Sequence, residues 1–253
     1  MSRRNRRREA AAHGFAGARA AVPRRLTVID GLRGFAICLM IIYHFAFDLA
    51  WFRVIRADFN NDVFWLASRA LIVTLFLALV GVSLVLAREA GQSMHAFWRR
   101  VALIAGCAVL VSVASYVTFP RTFITFGILH CIAVSSVLAR PLVDFPRVAL
   151  LGGIAIVVLG SAVHLPLFDA SWLNWIGMMT HKPATEDYVP LFPWLGVVLL
   201  GVAASHAMLG KMRQRLVAGG TNVPRWLAWA GRHSLLIYLA HQPVLVGILR
   251  VVL

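Results

Sequence analysis

Seven predominantly apolar stretches, each close to the thickness of a bilayer, alternate with shorter polar connections along the chain. They run about Val28–Ala50, Val63–Ala87, Trp98–Val117, Phe123–Leu142, Val148–Leu165, Leu191–Leu209 and Ser234–Val252. A helix needs about 20 apolar residues to cross a hydrocarbon core about 30 Å thick. The pattern therefore predicts an all-α protein, a polytopic transmembrane helical bundle of about seven spans. No internal repeat is visible, so residues 26–253 are expected to form one transmembrane domain behind an N-terminal arm, residues 1–25. The longest connection, Pro166–Pro190, holds Trp172, Trp175 and Tyr188. Such residues favour the membrane interface, and a short surface helix is expected there. Asn222-Val223-Pro224-Arg225, just before WLAWAG, predicts a capped interfacial turn into the last span.

Composition strengthens this picture. The chain is 60% hydrophobic and only 14% charged, whereas a soluble domain is about 45–50% apolar and about 25% charged. Its net charge of +15 does not point to nucleic acid, because the basic residues gather on no soluble module. They divide by side of the membrane instead. With the N-terminus inside, eighteen Lys and Arg fall in the tail and inner connections, against five in the outer ones. The positive-inside rule then gives an N-in, C-out topology. The tail, basic and poor in apolar bulk, is expected to be disordered and cytoplasmic. Cys38, Cys107 and Cys131 lie within apolar spans without CxxC spacing, and are expected to be core residues.

The first span interrupts its apolar run with Arg33, His44 and Asp48. An ionisable residue inside a membrane is costly and usually functional. Arg33 and His44 are eleven residues apart, which is three helical turns plus about 20°, so they share a face roughly 16 Å apart. Asp48 follows on the same face at i+4. A carboxylate on one imidazole nitrogen would fix the tautomer and leave the other nitrogen to accept a proton near neutral pH. Two readings of His44 follow: a core histidine hydrogen-bonded to a neighbouring backbone carbonyl, or a proton acceptor oriented by Asp48 or Asp187. Arg33 has two readings: an ion pair with Asp30 that snorkels to the inner headgroups, or a contact to an anionic ligand from the cytoplasm.

Other spans add candidates. His130 lies in FGILHCIAVS, about two turns in from the outer surface. His241 lies in SLLIYLAHQP, with Tyr238 one turn earlier. Asp187 opens EDYVPLFPWLG, and Arg69, in the outer half of the second span, is expected to pair with Asp48 or Asp62. No HExxH or clustered Cys/His motif is present, so no metal is expected. P-loop, GxGxxG and GxSxG motifs are missing too, which sets aside nucleotide hydrolysis and serine hydrolase chemistry.

The segments IDGLRGFAICLMIIYHFAFDL, LFLALVGVSLVLA, FGILHCIAVS, EDYVPLFPWLGVVLLG and AGRHSLLIYLAHQPVL, in that order, resemble the bacterial membrane proteins related to heparan-alpha-glucosaminide N-acetyltransferase. The resemblance covers about Leu26–Val246. The Arg33–His44 segment also resembles membrane O-acyltransferases that decorate bacterial glycans. The resemblance implies a multi-pass protein of a bacterial inner membrane that takes an acetyl group from cytoplasmic acetyl-CoA. The acetyl group would pass to an amine or hydroxyl of a glycan on the far side. It implies His44 as the catalytic histidine and Arg33 as a donor-side contact. Asp48 and Asp187 are placed with His44 as catalytic candidates; Arg69, His130, Tyr238 and His241 are placed as substrate-binding ones. The lipid bilayer, acetyl-CoA and a glycan acceptor are the expected partners, and homo-oligomerisation is left open. The alternative from the same polar stripe is a non-catalytic transporter or proton-coupled permease. Against it stands the lack of an internal repeat and of paired broken helices.

Overall fold

The computed structural model describes residues 26–218 and 222–253. The basic arm expected at residues 1–25 lies outside the described residues. Among the described residues all regular structure is helical. In chain order the helices are α1 (Thr27–Trp51), α2 (Val63–Glu89), α3 (Met94–Thr118), α4 (Ile128–Ala139), α5 (Pro146–Ala162), α6 (Leu191–Ala218), α7 (Arg225–Arg232) and α8 (Ser234–Val252). Five stretches are long and apolar enough to cross a membrane: α1, α2, α3, Leu191–Met208 of α6, and α8. Ile128–Leu142 and Pro146–Ala162 are apolar but shorter.

α5 keeps within three residues of its expected bounds, Val148–Leu165, whereas α4 departs from its own. Its helix begins at Ile128, not near Phe123, and its 12 residues rise only about 18 Å. The apolar residues before it are not helical. Instead the segment is held by side chains from elsewhere: Ser112 donates to the Ile124 carbonyl at 2.6 Å, and the Ile124 N–H donates to Ser115 at 3.0 Å. Thr185 donates to the Phe123 carbonyl at 2.9 Å, and the Val189 N–H to the Phe126 carbonyl at 3.2 Å. Non-helical backbone within a membrane protein survives where the protein itself satisfies its polar groups, and these bonds do that.

The core lies between α2, α4 and α6, where Leu77, Val85, Cys131, Val198 and Val202 are sealed from solvent. A second cluster joins Ile37 and Met40 of α1 to Ile72 of α2, with Ile237 and Tyr238 of α8 packed against it. The opposite sides of the outer helices expose bulky apolar residues, among them Ile42, Phe45, Val113 and Leu151. In a bilayer that exposure is the expected lipid face.

α1 meets α7 at backbone distance. A Cβ on Gly34 would collide with the Leu227 carbonyl oxygen, and one on Gly231 with the Asp30 carbonyl oxygen. The expected capped turn is only partly found: Pro224 stands at the N-cap of α7 and no side chain caps it. In the Pro166–Pro190 connection, two short 3₁₀ turns, Pro166–Asp169 and Asn174–Ile176, take the place of the expected surface helix. There Asp169 accepts from the Thr180 hydroxyl and N–H, which holds its carboxyl below the usual range.

Candidate functional site

The polar stripe of α1 faces other helices along its length. At one end the Arg33 guanidinium donates to the Ser83 hydroxyl of α2 at 2.7 Å and pairs with Asp30 at 3.4 Å. Ser83 in turn donates to the Leu79 carbonyl at 2.5 Å, so a hydroxyl bonded back into its own helix receives the arginine. Asp30 is buried. A guanidinium held by a carboxylate and a hydroxyl is fixed in direction, a geometry suited to an anionic partner. Further along α2, Arg88 pairs with Asp144 at 3.1 Å, and Arg140 stands 5.5 Å over the Phe97 ring. With Trp98 they line a groove of 370 Å³.

At the other end, His44 of α1 and His241 of α8 meet with ring centroids 4.8 Å apart, edge to face. His44 Nδ1 lies 2.9 Å from the Met40 carbonyl oxygen, and His241 Nδ1 lies 2.6 Å from that of Tyr238. A carbonyl only accepts, so each ring carries its proton on Nδ1 and keeps a lone pair on Nε2. The expectation that Asp48 orients His44 is therefore corrected. The ring leans toward the N-terminal turn of its own helix, as helical side chains do, and bonds the carbonyl found there. Asp48 is buried, and its Oδ1 accepts from the Gln242 amide of α8 at 2.7 Å.

Around this pair the structure gathers most of the residues singled out above. Asp187 lies near enough to His44, His130 and Arg69 to act on each electrostatically. Its Oδ2 accepts the Ile128 N–H at 2.9 Å, so it caps α4 from a distant part of the chain. A Cβ on Gly127 would run into that same oxygen, which explains the glycine. Burial raises the Asp187 carboxyl above its ordinary range, against the opposing effect of the Ile128 N–H. His130 stands in the first turn of α4, because the helix starts at Ile128 and not near Phe123. Its Nδ1 receives the Gly127 N–H at 3.2 Å, and its Nε2 lies 3.3 Å from the Ser112 hydroxyl. It is thus engaged in holding the helix start. Tyr238 packs against both clusters described above and against a third, formed by Ile104 and Ala108 of α3 with Leu129 and Ala133 of α4.

Arg69 pairs with neither expected carboxylate. Asp62 caps α2 by accepting the Phe64 N–H at 2.8 Å, and Asp48 is taken by Gln242. Arg69 instead acts on Asp187, Tyr43 and Lys182.

Three residues of the site went unnoticed in the sequence: Ser83, Ser112 and Gln242. Serines in apolar runs are ordinary, so only contact with a second helix distinguishes them. Gln242 did carry a signal, since it stands beside His241 in an otherwise apolar helix.

The double role of Asp187 is separable. Asp187→Ala is expected to cost about 1 kcal/mol of stability through the lost cap, while Asp187→Asn keeps an acceptor and costs less. Thermal unfolding of the two purified variants measures this; equal losses would show that the cap contributes nothing.

Three carboxyl, amide and imidazole atoms of the cluster, Asp48 Oδ2, Gln242 Oε1 and His241 Nε2, are buried with no hydrogen-bond partner among the described residues. Buried polar atoms left so cost about 1–3 kcal/mol each, a cost that functional sites commonly carry. Among the described residues no group of three or more metal-ligating side chains converges. Fold and site together define a multi-pass helical membrane protein with an anchored arginine at one end of a buried helix face and a histidine–carboxylate cluster at the other.

The chain belongs to the family described as heparan-alpha-glucosaminide N-acetyltransferase, catalytic, whose profile matches residues 25–243. Comparison with curated proteins and with solved structures gives no match. Membership indicates acetyltransferase chemistry in a membrane, with acetyl-CoA as the donor the family generally uses.

Proposed function

We propose that this protein moves an acetyl group from cytoplasmic acetyl-CoA to an amine or hydroxyl of a glycan on the outer side of a bacterial inner membrane. The observation that carries the proposal is the single inward face of α1. It ends in Arg33, fixed by Ser83 and Asp30, and in His44, fixed by Met40 and packed on His241. The separation, roughly 16 Å along the helix, suits an acyl donor whose anionic part is held at one end while its thioester reaches the other.

In this scheme residues 26–253 form one domain of seven crossings, N-in and C-out, with the two short helices α4 and α5 completing the count. Arg33 then lies on the inner side, as does the groove beside Arg88 and Arg140. Both supply positive charge for the donor's phosphates. His44 lies in the outer half and removes the proton of the acceptor as its nitrogen or oxygen attacks the acetyl carbon. The C–S bond breaks, and the departing thiolate takes a proton. Asp48 and Asp187 offset the positive charge on His44, while Arg69, His130 and Tyr238 shape the space the acceptor enters.

The test is to supply acetyl-CoA labelled in its acetyl group to the purified protein with amino-sugar and hydroxyl-only glycans, and to measure free thiol and labelled glycan. Donor-dependent release of both is expected. Failure to bind acetyl-CoA at all would overturn the proposal. Arg33→Ala is expected to raise KM for acetyl-CoA about 10-fold or more, in line with a lost charge-assisted hydrogen bond, and to leave KM for the acceptor unchanged. An unchanged donor KM would remove Arg33 from the donor site.

A further inference from the structure

His241 is among the substrate-contact candidates of the sequence, and its surroundings point elsewhere. Its Nδ1 is committed to the Tyr238 carbonyl at 2.6 Å. Its Nε2 is sealed from solvent and without a hydrogen-bond partner. Neither nitrogen is offered to an entering ligand. What the ring does touch is His44, with centroids 4.8 Å apart. His44 is only half-buried, and its Nε2 is not among the sealed atoms. One imidazole is therefore reachable, and the other stands behind it.

The hydrogen-bond directions make this arrangement asymmetric in charge. Tyr238 fixes the His241 proton on Nδ1, so the remaining nitrogen of a ring that packs on His44 is a bare lone pair. The positive end of the imidazole dipole is turned into the backbone of α8, and its negative end stays in the cluster. The neighbouring atoms Asp48 Oδ2 and Gln242 Oε1 are acceptors without donors as well. Gln242 follows His241 directly and fixes the register by donating to Asp48 at 2.7 Å. The cluster thus holds a surplus of acceptors around one reachable histidine. A surplus of that kind is matched when His44 gains a proton and with it a positive charge, and such a charge is stabilised by dipoles already in place.

We propose that His241 is a positioning residue for His44: it stays neutral, keeps its lone pair beside the His44 ring, and stabilises the charge His44 acquires on taking the acceptor's proton. The proposal rests on His44 acting as the base. The proton leaves the attacking N–H or O–H, resides on His44 Nε2 while the new bond to the acetyl carbon forms, and passes to the departing thiolate; His241 neither gains nor loses one. The charged and titratable groups facing the pair are Asp48 and Tyr43 on α1, Asp187 before α6 and Tyr238 on α8; Arg69 on α2 and His130 on α4 act on Asp187 behind them.

Two substitutions in the full-length protein separate this role from a packing role. His241→Phe keeps the ring against His44 and removes the lone pair; His241→Gln loses the ring and puts an amide oxygen where Nε2 stood. His241→Phe is expected to lower kcat about 10- to 100-fold, the scale of a lost interaction with a charged partner, with KM for donor and acceptor within about twofold. His241→Gln is expected to recover most of that loss. A kcat that follows ring shape, with Phe near wild type and Gln impaired, would overturn the proposal, as would a rise in acceptor KM at constant kcat. His44→Ala, assayed alongside, tells the two claims apart. If it is active, the base assignment fails and His241 loses its role with it. If it is inactive while Phe and Gln at position 241 behave alike, only the His241 assignment fails.

Discussion

Replacing His44 by alanine is expected to lower kcat for acetyl transfer by about 10²–10⁴-fold, the usual contribution of a positioned general base, without unfolding the protein. The second half of this expectation follows from where the imidazole is bonded. Its one hydrogen bond runs to the Met40 carbonyl of its own helix, and that carbonyl accepts the backbone N–H of residue 44 in any case. Alanine is the best helix former and leaves the α1 backbone unaffected. Loss of turnover with an unchanged unfolding temperature is therefore the result to look for. Donor binding should persist, because Arg33 and Ser83 lie three turns away. The same variant distinguishes direct transfer from an acetyl-histidine intermediate. If His44 is only a base, wild-type protein incubated with labelled acetyl-CoA and no acceptor remains unlabelled. If His44 is the nucleophile, the protein becomes labelled and His44→Ala does not. Turnover of His44→Ala within about tenfold of wild type would take His44 out of the mechanism altogether.

What the sequence displayed of this site, and what it hid, follows from the range of the interactions involved. Arg33, His44 and Asp48 lie on one helix, and 3.6 residues per turn places them on a common face without further knowledge. That placement needed only local geometry, and the structure shows the face turned toward α2 and α8. The partner of each side chain was another matter. Asp48 stands one turn from His44 and looked like its natural partner, yet it bonds Gln242, 194 residues away. Two competing hydrogen bonds, one to a carbonyl in the same helix and one across the bundle, decided both side chains. No spacing rule ranks such bonds.

The start of α4 was hidden for a related reason. Phe123, Ile124 and Phe126 read as apolar and extend the hydropathic run, but hydropathy does not report the backbone angles that Ser112, Ser115 and Thr185 impose from other segments. Pro120 and Gly127, which bracket the stretch, were the local sign that a helix does not run through it. Asp187 follows the same logic. The sequence offers it only as one possible partner of His44, and it enters the site because the 185–190 and 122–128 segments pair with each other.

Gly34→Ala and Gly231→Ala are each expected to lower stability by about 3 kcal/mol, the upper end of what overpacking costs, whereas Gly106→Ala and Gly247→Ala raise it slightly. The four sites share the same chemistry and differ in what a methyl group would meet. At Gly34 and Gly231 it would fall on the carbonyl oxygens of Leu227 and Asp30, so α1 and α7 can accept it only by moving apart as whole helices. At Gly106 and Gly247 nothing lies within 4 Å, and the helix gains about 0.5–1 kcal/mol from the alanine. Unfolding of all four variants in one detergent gives the comparison, and a common sign across them would show that the α1–α7 approach is not what holds these helices. The consequence also reaches the chemistry. Asp30, which Gly231 touches, is the carboxylate paired with Arg33, and α7 leads directly into α8, which carries His241. Separating α1 from α7 therefore displaces the arginine and the histidine pair together. Residual Gly34→Ala protein is expected to show both a raised donor KM and a lowered kcat, where Arg33→Ala shows mainly the first and His44→Ala mainly the second.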